Sequence, residues 1–177
     1  PKYGISKDDY YFDKDKHVIA KGMSSIKYLN SSVANNLFEL SKSFSESYFT
    51  DLLYKMTHSA SINSRQLDVL LKIDFFSDFG NCQELLRIND IFNYFKQGDS
   101  KTIKKNGLHE NIECILKKYA IDKNAKGVEL KSYTITDMTG LLHECEDVIR
   151  SMNLPDLNYK LKAAAQNEFL GYVDLTT

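Results

Sequence analysis

Two stretches of the chain share one arrangement: a helix, a tight turn and a second helix. The first covers residues 22–41, where Gly22 to Lys27 reads as a short helix and a longer helix begins near Asn30. Apolar side chains of that longer helix recur at helical spacing on one face: Val33, Leu37 and Leu40. A helix start carries unpaired backbone N–H groups and partial positive charge. This corner can therefore hold an anion without further specialisation.

The second stretch covers residues 63–95 and carries clear helix-start signals. Asn63 is followed three residues later by Gln66, which is the spacing of a capping box, and Asn81 with Glu84 repeats it. The helix after Asn81 shows a regular apolar face: Leu85, Ile88, Phe92 and Phe95. The two stretches predict a tandem helix-hairpin-helix core, duplicated in architecture and not in sequence.

Most of the remaining chain is also predicted to be helical. A β-hairpin is expected near the N-terminus, with Tyr10 to Phe12 and His17 to Ala20 around the turn Asp13 to Lys16. Further helices are expected over Ser47 to His58, with an inward face of Phe49, Leu52, Leu53 and Met56, and over Glu110 to Ala120. Asp137 can cap a helix through Met152 that buries Leu141, Cys145, Val148 and Met152, and a last helix runs from Pro155 to Leu170. Residues 96–110 read as a loop, and a short strand is placed at Val128 to Leu130 or at Tyr133 to Ile135.

The predicted fold class is mostly α, in two parts. Residues 1–95 form the helix-hairpin-helix core with its leading β-hairpin, and residues 96–177 form a C-terminal helical annex. Eight Gly and two Pro in 177 residues disfavour a turn-rich all-β fold. The net charge of −1 gives no general attraction to nucleic acid or acidic lipid, so contact with DNA requires a local patch.

The three cysteines and the apolar runs bear on location. Cys82, Cys114 and Cys145 are odd in number and far apart, so neither a disulfide framework nor a zinc pair is visible. A reducing, cytoplasmic setting is expected. No apolar run is long enough to cross a bilayer and no signal peptide opens the chain, so no membrane partner is expected. Because the sequence begins with Pro1, we expect a piece of a longer protein.

Four collinear motifs resemble the α subunit of bacterial DNA polymerase III, a C-family replicative polymerase. The segment Gly22 to Lys27 is similar to that family's run of glycine, leucine, two small residues, isoleucine and lysine. The other three similar segments follow in the family's order: Ile62 to Lys72, Phe75 to Gly80 and Glu168 to Tyr172. In the first turn, Tyr28, Leu29 and Asn30 stand where the family has glycine, an apolar residue and glycine. Asn accepts positive φ better than most residues.

The resemblance implies sequence-independent contact with the backbone of duplex DNA. Carried over to this sequence, the first hairpin spans Ile26 to Ala34 and the second spans Ile73 to Leu85. The residues expected at the phosphates are Lys27, Asn30, Ser31, Ser32, Gly80 and Asn81. Backbone N–H groups would bind phosphate oxygens and Lys27 would add a charge-assisted bond, with no base read. Expected partners are double-stranded DNA, the rest of the polymerase chain and other replisome proteins.

The resemblance places catalysis outside this sequence. The parent is expected to be a DNA-directed DNA polymerase that uses Mg²⁺, whereas no catalytic residue, metal ligand or cofactor is assigned here. Asp13 and Asp15 read as a solvated turn. A second basic surface is possible at Lys96, Lys101, Lys104, Lys105, Lys117 and Lys118. The alternative function is a protein-interaction module of the replisome whose DNA-binding hairpin has degenerated.

Overall fold

The computed structural model describes residues 1–9, 11–15, 17–20, 22–23, 26–43, 47–96 and 101–173. Its helices are α1 (Ser31–Ser43), α2 (Phe49–Ser59), α3 (Ser64–Lys72), α4 (Cys82–Lys96), α5 (Glu110–Leu116), α6 (Met138–Ser151) and α7 (Tyr159–Leu170), with a short 3-10 helix at Ser77–Phe79. Its strands are β1 (Tyr11–Asp13), β2 (Val18–Ala20), β3 (Thr102–Lys104), β4 (Ala120–Lys123) and β5 (Glu129–Ile135). The mostly helical class is confirmed.

Contacts divide the chain into two compact units. The first unit comprises residues 1–86 and 154–177, and the second comprises residues 87–153. This division differs from the predicted boundary after residue 95, because α7 packs on α3 and joins the N-terminal part of the chain. In the described part of the chain, no helix has the length and apolar character that crossing a bilayer requires.

The core of the first unit is built from amphipathic helices and a group of aromatic rings. The apolar face predicted for α2 is confirmed as buried: Phe49, Leu52, Leu53 and Met56. Rings from four parts of the unit meet edge to face or tilted, with centroids 4.9–6.4 Å apart: Tyr3, Phe49, Phe75, Phe76 and Phe79. The predicted N-terminal hairpin is present as the antiparallel pair β1–β2, although Tyr10 and Lys16 lie outside the described residues.

Local capping signals in the sequence are reproduced in the structure. Asn63 and Gln66 form both bonds of a capping box at the start of α3. Asp137 accepts the Gly140 N–H at the start of α6, 3.0 Å away. The last helix begins at Tyr159 behind an Asn158 cap, later than the predicted start at Pro155.

The second unit differs most from the prediction, because it contains a three-stranded antiparallel sheet in the order β3-β5-β4. The loop predicted for residues 96–110 contains β3, and the helix predicted to reach Ala120 ends at Leu116, before β4. The two alternative strand sites both fall on one strand, β5, except that Val128 precedes it. On β5, Tyr133 and Ile135 are buried while Thr134 between them is exposed, so one sheet face is covered.

Helices α5 and α6 contact each other, and the Tyr133 hydroxyl donates a 2.6 Å hydrogen bond to Glu113 of α5. The side chain of Cys145 on α6 is buried, as predicted. Val148 and Met152 were predicted to be buried, but they are 38% and 54% exposed. The buried stripe of α6 instead passes through Leu141, Leu142, Cys145, Glu146 and Ile149.

Candidate nucleic-acid interface

The first corner, residues 26–33, is a turn that leads into α1. The Leu29 N–H donates to the Ile26 carbonyl at 3.2 Å, and Tyr28 has φ +72°. A side chain in this left-handed region costs about 1–2 kcal/mol, which glycine would avoid. The positive φ thus falls at Tyr28 and not at Asn30. The Gln66 amide supports the turn by donating to the Tyr28 carbonyl at 3.2 Å.

The segment before this corner is not helical where the structure describes it. Gly22 is irregular and Met23, Ile26 and Lys27 lie in bends and turns, while Ser24 and Ser25 lie outside the described residues. Gly22 is required by a close approach, since a Cβ there would lie 2.5 Å from the backbone of Asp9. The short helix expected before the first turn is therefore not seen in these described residues, and a tandem helix-hairpin-helix is not established.

Asn30 caps α1 with its side chain. Its Oδ1 accepts the Val33 N–H at 2.9 Å, so one amide expected to bind phosphate is already paired. The Ser31 hydroxyl donates to Asp8 at 2.9 Å, which brings a carboxylate close to the helix start. The backbone N–H groups of Ser31 and Ser32 donate to no atom in the described chain, and both residues are exposed. These two amides are the donors that the first corner retains.

Two cations lie against the exposed ring of Tyr28. The Arg65 guanidinium carbon is 3.6 Å from the ring centroid, and the Lys27 Nζ is 5.3 Å from it. Tyr28 is 39% exposed, and both cations are exposed as well. Neither cation has a carboxylate at salt-bridge distance within the described part of the chain. The ring thus holds two unneutralised charges beside the start of α1.

Arg65 was not among the predicted site residues. It is the second residue of α3, where the helix dipole disfavours a cation by a few tenths of a kcal/mol or more. The sequence therefore offered one signal that Arg65 has a function: its positive charge stands at a helix start, where the helix dipole opposes it. What the sequence did not show is that α3 begins beside Tyr28, which the Gln66–Tyr28 hydrogen bond establishes.

The second corner lies around Gly80 and Asn81, at the start of α4. Gly80 has φ 150°, and the Asn81 side chain accepts the Glu84 N–H at 2.9 Å. Asn81 also donates to the Leu154 carbonyl at 2.8 Å, which fixes the chain before α7 against this corner. The Cys82 N–H donates to the Asp156 carboxylate at 3.1 Å. A carboxylate of the same chain thus occupies the anion position of this helix start.

Asp156 belongs to an ion cluster with Lys162 and Asp74. The Lys162 Nζ lies 2.7 Å from Asp156 and 2.5 Å from Asp74. Burial alone would raise the pKa of Asp156, but the Lys162 ammonium and the amides of Leu157 and Cys82 outweigh burial and lower it. Burial first, and then Asp74 and Asp156, raise the pKa of the Cys82 thiol to about 12. Binding of phosphate at Gly80 and Asn81 stays a prediction, and a phosphate there would have to displace the Asp156 carboxylate.

The two corners lie near opposite ends of α7. Lys162 in the first turns of α7 contacts the second corner, whereas the Phe169 carbonyl near its end accepts the Lys27 N–H at 2.9 Å. Seven residues of helix separate these contacts, a rise of about 10 Å. Within this unit, Lys27, Asn30, Ser31 and Ser32 are therefore brought together, and Gly80 and Asn81 are placed apart from them.

Comparisons with known proteins add no assignment. No protein-family model matches the chain, and neither the curated proteins nor the solved structures searched contain a match. Within the residues that the structure describes, no group of three or more His, Cys, Asp or Glu side chains is arranged to hold a metal ion.

Proposed function

We propose that this chain is the duplex-holding part of a C-family replicative DNA polymerase, and that its first corner contacts the phosphate backbone. The polymerase resemblance of the motifs at Gly22 to Lys27 and Ile62 to Lys72 supports the class. The observation that carries the contact is the pair of unneutralised cations, Lys27 and Arg65, on the exposed ring of Tyr28. Nucleotidyl transfer and Mg²⁺ binding belong to other parts of the proposed cytoplasmic polymerase.

The proposed contact combines charge with backbone amides. The N–H groups of Ser31 and Ser32 would donate to one phosphate, while Lys27 and Arg65 neutralise it or its neighbour. Asn30 holds the start of α1 in place and does not itself touch the ligand. No base edge is involved, so binding is expected to be independent of sequence.

The expected affinity is low and depends on salt. The chain has a net charge of −1, and Asp8 lies beside Ser31, so both oppose the approach of a phosphate. Two phosphates neutralised at the first corner contribute about −2 to the slope of log K against log salt. Through this contact alone, a rise from roughly 50 to 200 mM salt would weaken binding about tenfold.

Fluorescence anisotropy with a labelled duplex of about 20 base pairs, at roughly 50 and 200 mM salt, tests the proposal. We expect the double variant Lys27→Gln/Arg65→Gln to lose most of the binding and to flatten the salt dependence. The matched control is Lys14→Gln/Lys160→Gln, which removes the same charge from exposed lysines elsewhere in the unit. Equal losses of duplex affinity in the two double variants would contradict specific binding at the first corner.

A second candidate function is a protein-interaction module of a replisome, and one observation favours it. Asp156 occupies the anion position of the second corner, so that corner is built for an intramolecular contact. Under this alternative the first corner no longer binds a ligand either. Duplex binding that is absent, or unchanged between the two salt concentrations, would support the module over the DNA-binding proposal.

A further inference from the structure

Charge is segregated within the second unit. Helices α5 and α6 carry five acidic residues and one basic residue: Glu110, Glu113, Glu144, Glu146 and Asp147, with Arg150. The sheet segments 101–105 and 120–131 carry six lysines and two acidic residues: Lys101, Lys104, Lys105, Lys123, Lys126 and Lys131, with Asp122 and Glu129. Helices α5 and α6 are thus negative, and the sheet segments are positive.

One lysine bridges both acidic residues of the sheet segments. Lys105 lies 2.7 Å from Asp122 and 3.0 Å from Glu129, over the ring of the buried Tyr133. The hydrogen bond to Asp122 is the main cause that raises the pKa of Lys105 to about 12. Lys105, Asp122 and Glu129 together keep a net charge of −1, so the sheet segments as a whole retain a net charge of +4.

The other five lysines of these segments are exposed, and within the described chain none has a carboxylate at salt-bridge distance. By contrast, Lys117 pairs with Glu113 and Lys118 pairs with Glu144. The side chain of Lys96 lies outside the described residues. The second basic surface predicted from the sequence is therefore smaller on the helical side and extends further along the sheet.

Four of these lysines gather at one end of the sheet. Lys104 pairs in register with Ser132, next to Lys131, and Lys123 pairs with Glu129. Lys126 lies in the turn that joins β4 to β5. At about 3.3 Å per residue and 4.8 Å per strand, the four backbone positions fall within roughly 20 Å. Because side chains alternate along a strand, Lys104 lies on the sheet face opposite to Lys131 and Lys123, so the lysines flank this end of the sheet from both faces. We name this group the lysine end: Lys104, Lys123, Lys126 and Lys131.

We propose that the lysine end binds the phosphate backbone of a double-helical nucleic acid. A duplex presents one negative charge per about 1.7 Å of its axis, so several phosphates would face a surface of this width. Binding of single strands relies on exposed aromatic rings. The aromatic side chain of β5, Tyr133, is 2% exposed, and the exposed apolar residues here are aliphatic: Ile121, Val128 and Leu130. Backbone contact with a duplex fits this surface better than base stacking.

The choice of ligand rests on the proposed function, but the surface is separate from the first corner and can be tested separately. The full chain is titrated with the same labelled duplex, and Lys104→Gln/Lys126→Gln is compared with Lys14→Gln/Lys160→Gln. Each phosphate that a lysine neutralises steepens the salt slope by about 0.9. We therefore expect Lys104→Gln/Lys126→Gln to have a slope shallower by about 2 and to bind about tenfold more weakly at roughly 50 mM salt.

The outcomes separate this inference from the proposed function. Weaker binding in Lys104→Gln/Lys126→Gln supports the lysine end even if Lys27→Gln/Arg65→Gln binds normally. Loss of binding in Lys27→Gln/Arg65→Gln, with Lys104→Gln/Lys126→Gln equal to the control, overturns the inference and leaves the proposed function intact. Binding to phosphatidylserine vesicles that unlabelled duplex cannot displace, and that Lys104→Gln/Lys126→Gln abolishes, would also overturn it in favour of a lipid surface.

Discussion

Replacing Asp156 by Asn removes one negative charge from the start of α4 and keeps the size of the side chain. Asp156 accepts hydrogen bonds from the Cys82 N–H at 3.1 Å, the Leu157 N–H at 2.8 Å and the Lys162 Nζ at 2.7 Å. In the variant, the Asn oxygen can still accept an amide N–H, but its NH₂ group would face the Lys162 ammonium. The variant therefore lacks the charged part of the interaction.

The expected cost follows from these contacts. A hydrogen bond to a charged group contributes about 1.5–3 kcal/mol when it is well shielded. The Asp156 side chain is 36% exposed, and Lys162 keeps its bond to Asp74, so solvent screening reduces the value. We expect Asp156→Asn to lower the free energy of unfolding of the first unit by about 1–2 kcal/mol at neutral pH.

The cost should depend on pH with a definite sign. The folded-state pKa of Asp156 is lowered, so its stabilisation is complete above the unfolded pKa of about 3.9. The stabilisation is lost as the pH falls below that value and through the lower folded pKa. The difference between wild type and Asp156→Asn should therefore shrink in acid. Urea titrations followed by far-UV circular dichroism at neutral and acidic pH measure it.

Thiol labelling in urea assigns the effect to the correct unit. Cys82 reports on the first unit and Cys145 on the second, and both are buried. We expect Asp156→Asn to lower the urea midpoint of Cys82 labelling and to leave that of Cys145 unchanged. Glu168→Gln on the exposed side of α7 is the matched control and should stay within about 0.5 kcal/mol of wild type. Equal midpoints in wild type and Asp156→Asn would refute the carboxylate's role at this helix start.

Two further predictions follow from burial and close packing. Burial raises the pKa of Cys82 to about 12 and that of Cys145 to about 11, whereas Cys114 is exposed. A chromogenic disulfide reagent at a pH of about 8 should therefore modify one thiol quickly in the native chain and all three in urea. Fast labelling of Cys82 would contradict its burial. Gly22→Ala would place a Cβ 2.5 Å from the Asp9 backbone, so urea unfolding should show a loss of about 1–3 kcal/mol. An unchanged urea midpoint would show that the backbone near Asp9 can move to accommodate the added Cβ.

The helices were predictable because their signals are local. The capping box of Asn63 with Gln66, the Asp137 cap and the apolar stripe of α2 each lie within a few turns of one helix. Such patterns indicate where a helix begins and which of its faces is apolar, because the residues involved are close together in the chain. The buried face of α4, with Leu85, Ile88, Phe92 and Phe95, was found for the same reason.

The strands of the second unit were harder to predict because a strand depends on its partner. β3 has three residues and β4 has four, and neither has a strong local signal. Both are held by β5, which lies up to thirty-two residues further along the chain, as in the pairing of Thr102 with Thr134. A similar dependence on distant residues explains why Val148 and Met152 were wrongly predicted to be buried. The elements that pack on α6 decide which of its apolar residues are covered.

The sequence by itself determined most of the helices and their caps, because these depend on neighbours within one turn. Phosphate contact at Lys27, Asn30, Ser31 and Ser32 stays a prediction. Only the tertiary structure decided that Arg65 lies against Tyr28 and that Asp156 occupies the start of α4. Cys82 and Asp156 are seventy-four residues apart in the chain. A contact between such distant residues is set by how α7 packs on α3, and residue spacing does not encode it.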